Sequence, residues 1–130
     1  MTLADTSAWI EFLRDDGTIA DRVEELTLGS QLLCTEPVVM EILAGARSQR
    51  EFMTLRAMLS DLPMVHVGHL GAWDSAAAVY RACRSAGATP RSQIDCLIAA
   101  VAIREDVEVL HSDRDFDAIA KHTPLRVAAL

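Results

Sequence analysis

Long apolar runs are missing from this 130-residue chain. The longest, Cys96 to Ile103, falls well short of the about 18 residues a membrane-spanning helix needs. The N-terminus carries Asp5 where a secretory leader would carry positive charge, so the chain is expected in the cytoplasm and off the membrane. Cysteine is scarce and odd in number: Cys34, Cys83 and Cys96 are scattered, with no CxxC spacing. That argues against a zinc site or a disulfide framework and predicts three small buried thiols in a reducing compartment. Positive charge is also short, with 12 basic against 19 acidic residues and a net charge of −7. Taken alone, this argues against a nucleic-acid binder, which usually carries a basic footprint. HExxH, GxGxxG, P-loop and GxSxG motifs are absent as well, which removes the commonest metalloprotease, nucleotide-binding and serine-hydrolase readings.

What the chain does have is 51% hydrophobic residues, enough to bury a sizeable core. It has no repeat, low-complexity segment or dividing linker, so a single domain is expected over residues 1–130. Short strands alternate with helices. Strands are predicted at Met1 to Ala4, Gln31 to Cys34, Met64 to Val67, Glu108 to His111 and Leu125 to Val127. Helices are predicted from Ser7 to Arg14, from a Thr18 cap, and from a Thr35 cap towards Gly45. Further helices are expected over Ser48 to Ser60, Gly71 to Ser85, Ser92 to Arg104 and Phe116 to Lys121. Strands separated by helices imply an α/β fold whose parallel sheet is covered on both faces.

Four acidic residues stand in apolar settings where a carboxylate is costly to bury. They are Asp5 in Leu3-Ala4-Asp5-Thr6-Ser7, Glu41 in Val38-Val39-Met40-Glu41-Ile42-Leu43, Asp95 in Gln93-Ile94-Asp95-Cys96-Leu97-Ile98, and Asp113 after Val107-Glu108-Val109-Leu110-His111-Ser112. No lysine or arginine lies on the same segments as an obvious partner. Each residue also has a plain structural explanation. Asp5 is a favoured N-cap, Glu41 can flank a helix with its end in water, and Asp95 can be a first-turn acid. Asp113 can sit in a solvated turn with Asp115 and Asp117. Glu36 reads as a first-turn acid, and His111 as a satisfied structural histidine.

The arrangement favours a shared role. Asp5 and Asp113 follow strands, while Asp95 falls in the first turn and Glu41 in the second turn of helices that start at the same sheet edge, where parallel sheets bind ligands. Hard oxygen ligands of this kind suit Mg²⁺ or Mn²⁺ and metal-assisted phosphodiester chemistry. Asp115 is a further candidate ligand. The candidate contacts for RNA phosphates are Arg47, Arg50, Arg84 and Arg91, whose alternative is simple solvation of helix faces.

With these motifs in view, the chain resembles the PIN domain. Asp5-Thr6-Ser7, Glu36-Pro37-Val38-Val39-Met40-Glu41-Ile42-Leu43-Ala44-Gly45, Ile94-Asp95-Cys96-Leu97-Ile98-Ala99-Ala100 and Ser112-Asp113-Arg114-Asp115-Phe116 occur in order over essentially the whole chain. The pattern looks most like VapC-type toxins of toxin–antitoxin pairs. The resemblance implies an α/β/α sandwich with a central parallel sheet and Mg²⁺- or Mn²⁺-dependent ribonuclease activity on structured RNA, such as tRNA or an rRNA loop. It implies Asp5, Glu41, Asp95 and Asp113 as the acidic quartet, with Asp5, Asp95, Asp113 and Asp115 as candidate metal ligands. Thr6 or Ser7 would support Asp5. It further implies a homodimer and a VapB-type antitoxin. The alternatives are a structure-specific DNA nuclease, which the short chain disfavours, and a non-catalytic RNA- or protein-binding module, which an intact quartet disfavours. A receiver or haloacid-dehalogenase-type phosphatase fits worse, because Asp5 lacks a second Asp two residues on.

Overall fold

The computed structural model describes residues 1–15 and 17–130. Its centre is a parallel sheet in the order β2-β1-β3, with β1 Thr2–Ala4, β2 Leu32–Leu33 and β3 Glu108–Leu110. Leu3 pairs with Leu33 on one side and Val109 on the other. All three residues of β1 are buried, as expected of a central parallel strand covered on both faces. The segments predicted as outer strands are reduced to single bridges, Cys34 with Met64 and Val109 with Val127. A parallel bond still closes each edge: Val65 N–H donates to Cys34 O at 2.7 Å, and Ala128 N–H to Val109 O at 2.9 Å. Met64 and Val127 are only half-buried, so these segments gain less from pairing than the core strands do.

Seven helices are seen among the described residues: α1 Thr6–Leu13, α2 Gly17–Leu28, α3 Glu36–Ala44, α4 Gln49–Ser60, α5 Leu70–Ser85, α6 Gln93–Glu105 and α7 Arg114–His122. Helix α2 already includes Thr18, so Thr18 does not cap it. Ser48 and Ser92 cap α4 and α6, accepting from the amides of Glu51 and Ile94, the usual use of a serine at that position. Thr35 is the N-cap of α3 by backbone position, but its hydroxyl is buried without a partner among the described residues.

Helix α6 decides the placement of the site. Eight consecutive residues, Asp95 to Ala102, are buried. Ile98, Ala99, Val101 and Ala102 are completely inaccessible. Burying an Ile or Val side chain contributes about 1.5–3 kcal/mol, so this helix is held in the core and cannot rotate Asp95 outwards. The turn at its end is left-handed at Asp106 (φ 55°), after which the chain enters β3. The three cysteines are free and buried. Among the described residues, no helix is long and apolar enough to cross a membrane.

Candidate active site

Asp5 follows the last residue of β1 and caps α1. Its backbone N–H donates to Leu110 O, tying it to the end of β3, and its Oδ2 accepts from Ser7 N–H at 3.0 Å and Ser7 Oγ–H at 2.7 Å. Its other oxygen, Oδ1, is buried with no hydrogen-bond partner among the described residues. A carboxylate oxygen left this way is expensive, and capping does not account for it. Burial raises the Asp5 pKa, against the lowering effect of the Ser7 bonds.

Asp95 enters from the first turn of α6 and is 7% exposed. Burial, followed by the negative charges of Asp5 and Asp113, pushes its pKa up to about 8. Asp113 caps α7, accepting from the Asp115 amide at 2.9 Å. Burial works to raise its pKa, yet the net shift is downwards, because the Asp115 amide, Asp95 and Arg91 all favour its charged form. Asp95, Asp113 and Asp115 each offer an oxygen within 4.8 Å of the others. Glu41 comes from α3, and its charge also raises Asp95. The Thr6 hydroxyl donates to Glu41 Oε1 at 2.8 Å. Of the two hydroxyls expected to support Asp5, Ser7 therefore does so, while Thr6 holds Glu41.

The sequence shows no basic partner on the acids' own segments, yet the fold supplies one from outside them. An arginine does partner these acids: Arg91 Nη2 donates to Asp113 Oδ1 at 2.9 Å and Arg91 Nε to Asp115 Oδ2 at 3.1 Å. The Arg91 amide also donates to Asp115 Oδ2. Its guanidinium is thus engaged by two of the carboxylates, while the side chain stays 61% exposed. Arg91 precedes its partners by 22 and 24 residues, so no local pattern reveals the pairing. Arg47 and Arg50 are exposed, on the α3–α4 connection and on α4. Arg84 lies over the Tyr80 ring, its guanidinium carbon 5.7 Å from the centroid.

The surrounding contacts fix the site's frame. Ser112 N–H donates to Ser7 Oγ at 2.8 Å, and Ser112 Oγ–H to Glu11 Oε1 at 3.2 Å. His111 is structural: its Nδ1 accepts from Asp113 N–H, its Nε2 lies 3.3 Å from exposed Asp117, and its ring packs on Phe116. Glu36, read from sequence as a dipole-favoured acid, also accepts from Val67 N–H and meets His66 Nδ1 at 2.6 Å. It thereby pins α3 to the segment beyond Met64.

Five carboxylates thus meet at one sheet edge with one arginine among them. Oxygens of Asp95, Asp113 and Asp115 form a hard donor set that fits a divalent cation, and the unpartnered Asp5 oxygen stands outside that trio as a further donor at the same edge.

This sheet, helical cover and acidic edge define the class. The PIN domain family model matches residues 2–122, and the chain belongs to the PIN-domain family. Within it, the sequence groups with VapC ribonucleases. It is 44% identical to VapC ribonuclease Mb1587 of Mycobacterium bovis and to Ribonuclease VapC11 of Mycobacterium tuberculosis, over 99% of this chain and 98% of each relative. The fold matches DNA-bound VapBC from Salmonella typhimurium with a TM-score of 0.73 at 19% identity, covering 98% of this chain and 96% of that one. It also matches Mycobacterium tuberculosis VapC20, a sarcin-ricin loop cleaving toxin, with a TM-score of 0.67 at 16% identity, covering 97% and 99%.

Proposed function

We propose that residues 1–130 form one PIN-like domain acting as a divalent-metal-dependent endoribonuclease, the toxin of a VapBC-type pair. The observation that carries this is the carboxylate cluster, above all the buried Asp5 oxygen with no partner. Asp5, Asp95, Asp113 and Asp115 are the residues that would hold Mg²⁺ or Mn²⁺, with Glu41 completing the acidic quartet. When bound, such an ion polarises a phosphoryl oxygen and supplies an activated water.

The chain's own residues prepare the rest. Ser7 fixes the Asp5 carboxylate, and Thr6 fixes Glu41. Arg91 aligns Asp113 with Asp115 and offsets part of their charge. The rigid first turn of α6 holds Asp95 against them, so the acidic wall is preorganised before substrate arrives. The substrate is structured RNA, with an rRNA loop or tRNA as the candidates. The VapC20 neighbour's activity and the 44% identical ribonucleases support that choice. A VapB-type antitoxin, a homodimer and a cytoplasmic setting complete the reading.

The test is cleavage of tRNA and of an rRNA loop by the purified chain in Mg²⁺, Mn²⁺ and EDTA. Cleavage is expected with either ion and absent in EDTA. RNA retained but never cut would replace this reading with a binding module, and cleavage confined to structured DNA would replace it with a DNA nuclease.

A further inference from the structure

Beside the carboxylates, the junction of α5 and α6 carries a feature that the acidic chemistry does not use. The inner face of α5, through Ala72, Ala76, Val79 and Cys83, is buried. The neighbouring stripe, Trp73, Ala77, Tyr80 and Arg84, has the three- and four-residue spacing that stacks side chains along one helix face. Trp73 is 53% exposed. The Arg84 guanidinium lies over the Tyr80 ring. Together with Arg81, Gln93 and Ile94, these residues line a groove of about 400 Å³ that has no carboxylate in its walls. In a chain of net charge −7, that is an unusual local environment. Neither Arg81 nor Arg84 forms an ion pair among the described residues.

We propose that this groove is a nucleobase subsite: an unpaired base of the RNA substrate stacks on Trp73 and Tyr80 while Arg81 and Arg84 meet its flanking phosphates. The inference rests on the ribonuclease reading and deepens it. Three observations select a nucleotide as the occupant. Flat aromatic side chains beside arginines are how proteins hold unstacked bases. The two unpaired cations complement phosphate, the charge that the carboxylate wall repels. The groove also lies on the same turn of α6 as that wall, because Gln93 and Ile94 line it and Asp95 follows them. A strand with its scissile phosphate at the acids needs only to pass around a helix of roughly 10 Å diameter to place a neighbouring base here. The Gln93 amide at the mouth can donate to or accept from a base edge.

The chain has two tryptophans, and Trp9 is buried with its indole N–H unpartnered among the described residues, so Trp9→Phe breaks no hydrogen bond seen there and leaves Trp73 as the only tryptophan reporter. In the full chain carrying Trp9→Phe and Asp95→Asn to keep RNA uncut, a mixed-sequence single-stranded RNA decamer should quench Trp73 fluorescence saturably, and a duplex of the same sequence should bind more weakly. Tyr80→Ala should raise Kd about tenfold, the scale of one lost base stack. Tyr80→Phe should restore it, and Arg84→Gln should also weaken binding. In the cleaving chain, Trp73→Ala should raise KM with kcat held within about twofold, the sign of lost uniform binding, and Trp73→Phe should recover it. No quenching, or a Kd unmoved by Tyr80→Ala, overturns the subsite. So does Trp73→Ala dissociating a dimer in sedimentation while RNA affinity stays unchanged, which would assign the groove to a second copy of the chain. Quenching that depends on Tyr80 in a chain that never cuts RNA would keep the subsite and remove the nuclease reading. Cleavage with KM unmoved by Trp73→Ala would do the reverse.

Discussion

The two edges of the parallel sheet treat their acidic residues in opposite ways. At the amino edge, Glu105 meets Arg104 at 3.0 Å and Asp106 meets Arg126 at 3.1 Å, each pair reaching into water, with 90% of the Asp106 side chain exposed. Each of these two acids has its own cation. At the carboxyl edge five acids gather, Asp5, Glu41, Asp95, Asp113 and Asp115; Arg91 pairs with only Asp113 and Asp115, three of the five are buried, and one Asp5 oxygen has no partner among the described residues. Exposed pairs contribute little, about 0–1 kcal/mol. Crowded buried carboxylates cost stability unless something offsets their charge. The contrast separates an edge that keeps these acids paired in water from one that crowds its acids at a cost in stability.

The sharpest way to break the contrast is Asp95→Asn. Losing a residue that would hold the metal should remove several kcal/mol of transition-state stabilisation. Cleavage, followed on labelled RNA, should therefore fall by roughly three orders of magnitude. The metal-free variant should remain folded and be at least as stable as the parent in urea. A variant that unfolds, or one that still cuts normally, contradicts this assignment.

Metal addition should reverse the instability of the carboxyl edge. At a hundredfold excess over Kd, Mg²⁺ or Mn²⁺ should add about 2.7 kcal/mol by mass action, read as a rise in Tm. Asp5→Asn should shrink the rise, and an equal rise in both chains would move the ion elsewhere.

Without metal, stability should carry the titration of Asp95. Its ordinary value is 3.8 and its folded value about 8, so between these pH values the native state binds more protons than the unfolded chain. The associated stability is fully present below about pH 3.8 and lost as pH rises to about 8. Urea midpoints of the Asp95→Asn variant should lack this decline, with the gap between the two chains widest above pH 8.

Arg91→Ala tests the cation paired with Asp113 and Asp115. The Asp113 pKa should rise, visible by carboxyl NMR, since burial then meets less opposition. Metal affinity by calorimetry should tighten by less than about tenfold, because a positive charge beside the site is removed and the guanidinium no longer occupies oxygens that the ion would use. Weaker metal binding would instead make Arg91 a required positioning group. At the amino edge, Asp106→Asn should change stability by less than about 0.5 kcal/mol, since its ion pair is exposed and asparagine accepts the left-handed backbone well.

The parts of the site that could be read from sequence were those carried on contiguous segments. Asp95 stood out because Ile94 to Ile103 leaves no polar face on which to place it, and Asp5 because it ends an apolar strand and precedes helix-starting residues. The outer strands were less legible, since Met64 and Val127 look like strand residues but sit at edges where one bridge each is all that forms. Arg91, Glu36 and the Thr6–Glu41 bond were illegible for a common reason: each depends on groups 22 to 35 residues away. The groove on α5 was hidden differently. Arg84 is legible in the sequence as a cation, but only the packing of α5 against α6 leaves Trp73 exposed beside it.

The sequence by itself determined the alternation of strands and helices, the buried character of α6, and the edge at which four acids must emerge, because periodicity and cap chemistry are local. Tertiary structure alone decided that Arg91 is taken up by Asp113 and Asp115, that Ser7 and not Thr6 holds Asp5, and that Asp115 joins the cluster. Those outcomes depend on distances of a few ångströms between distant segments, and such distances are fixed only when α6, α7 and the sheet close on one core.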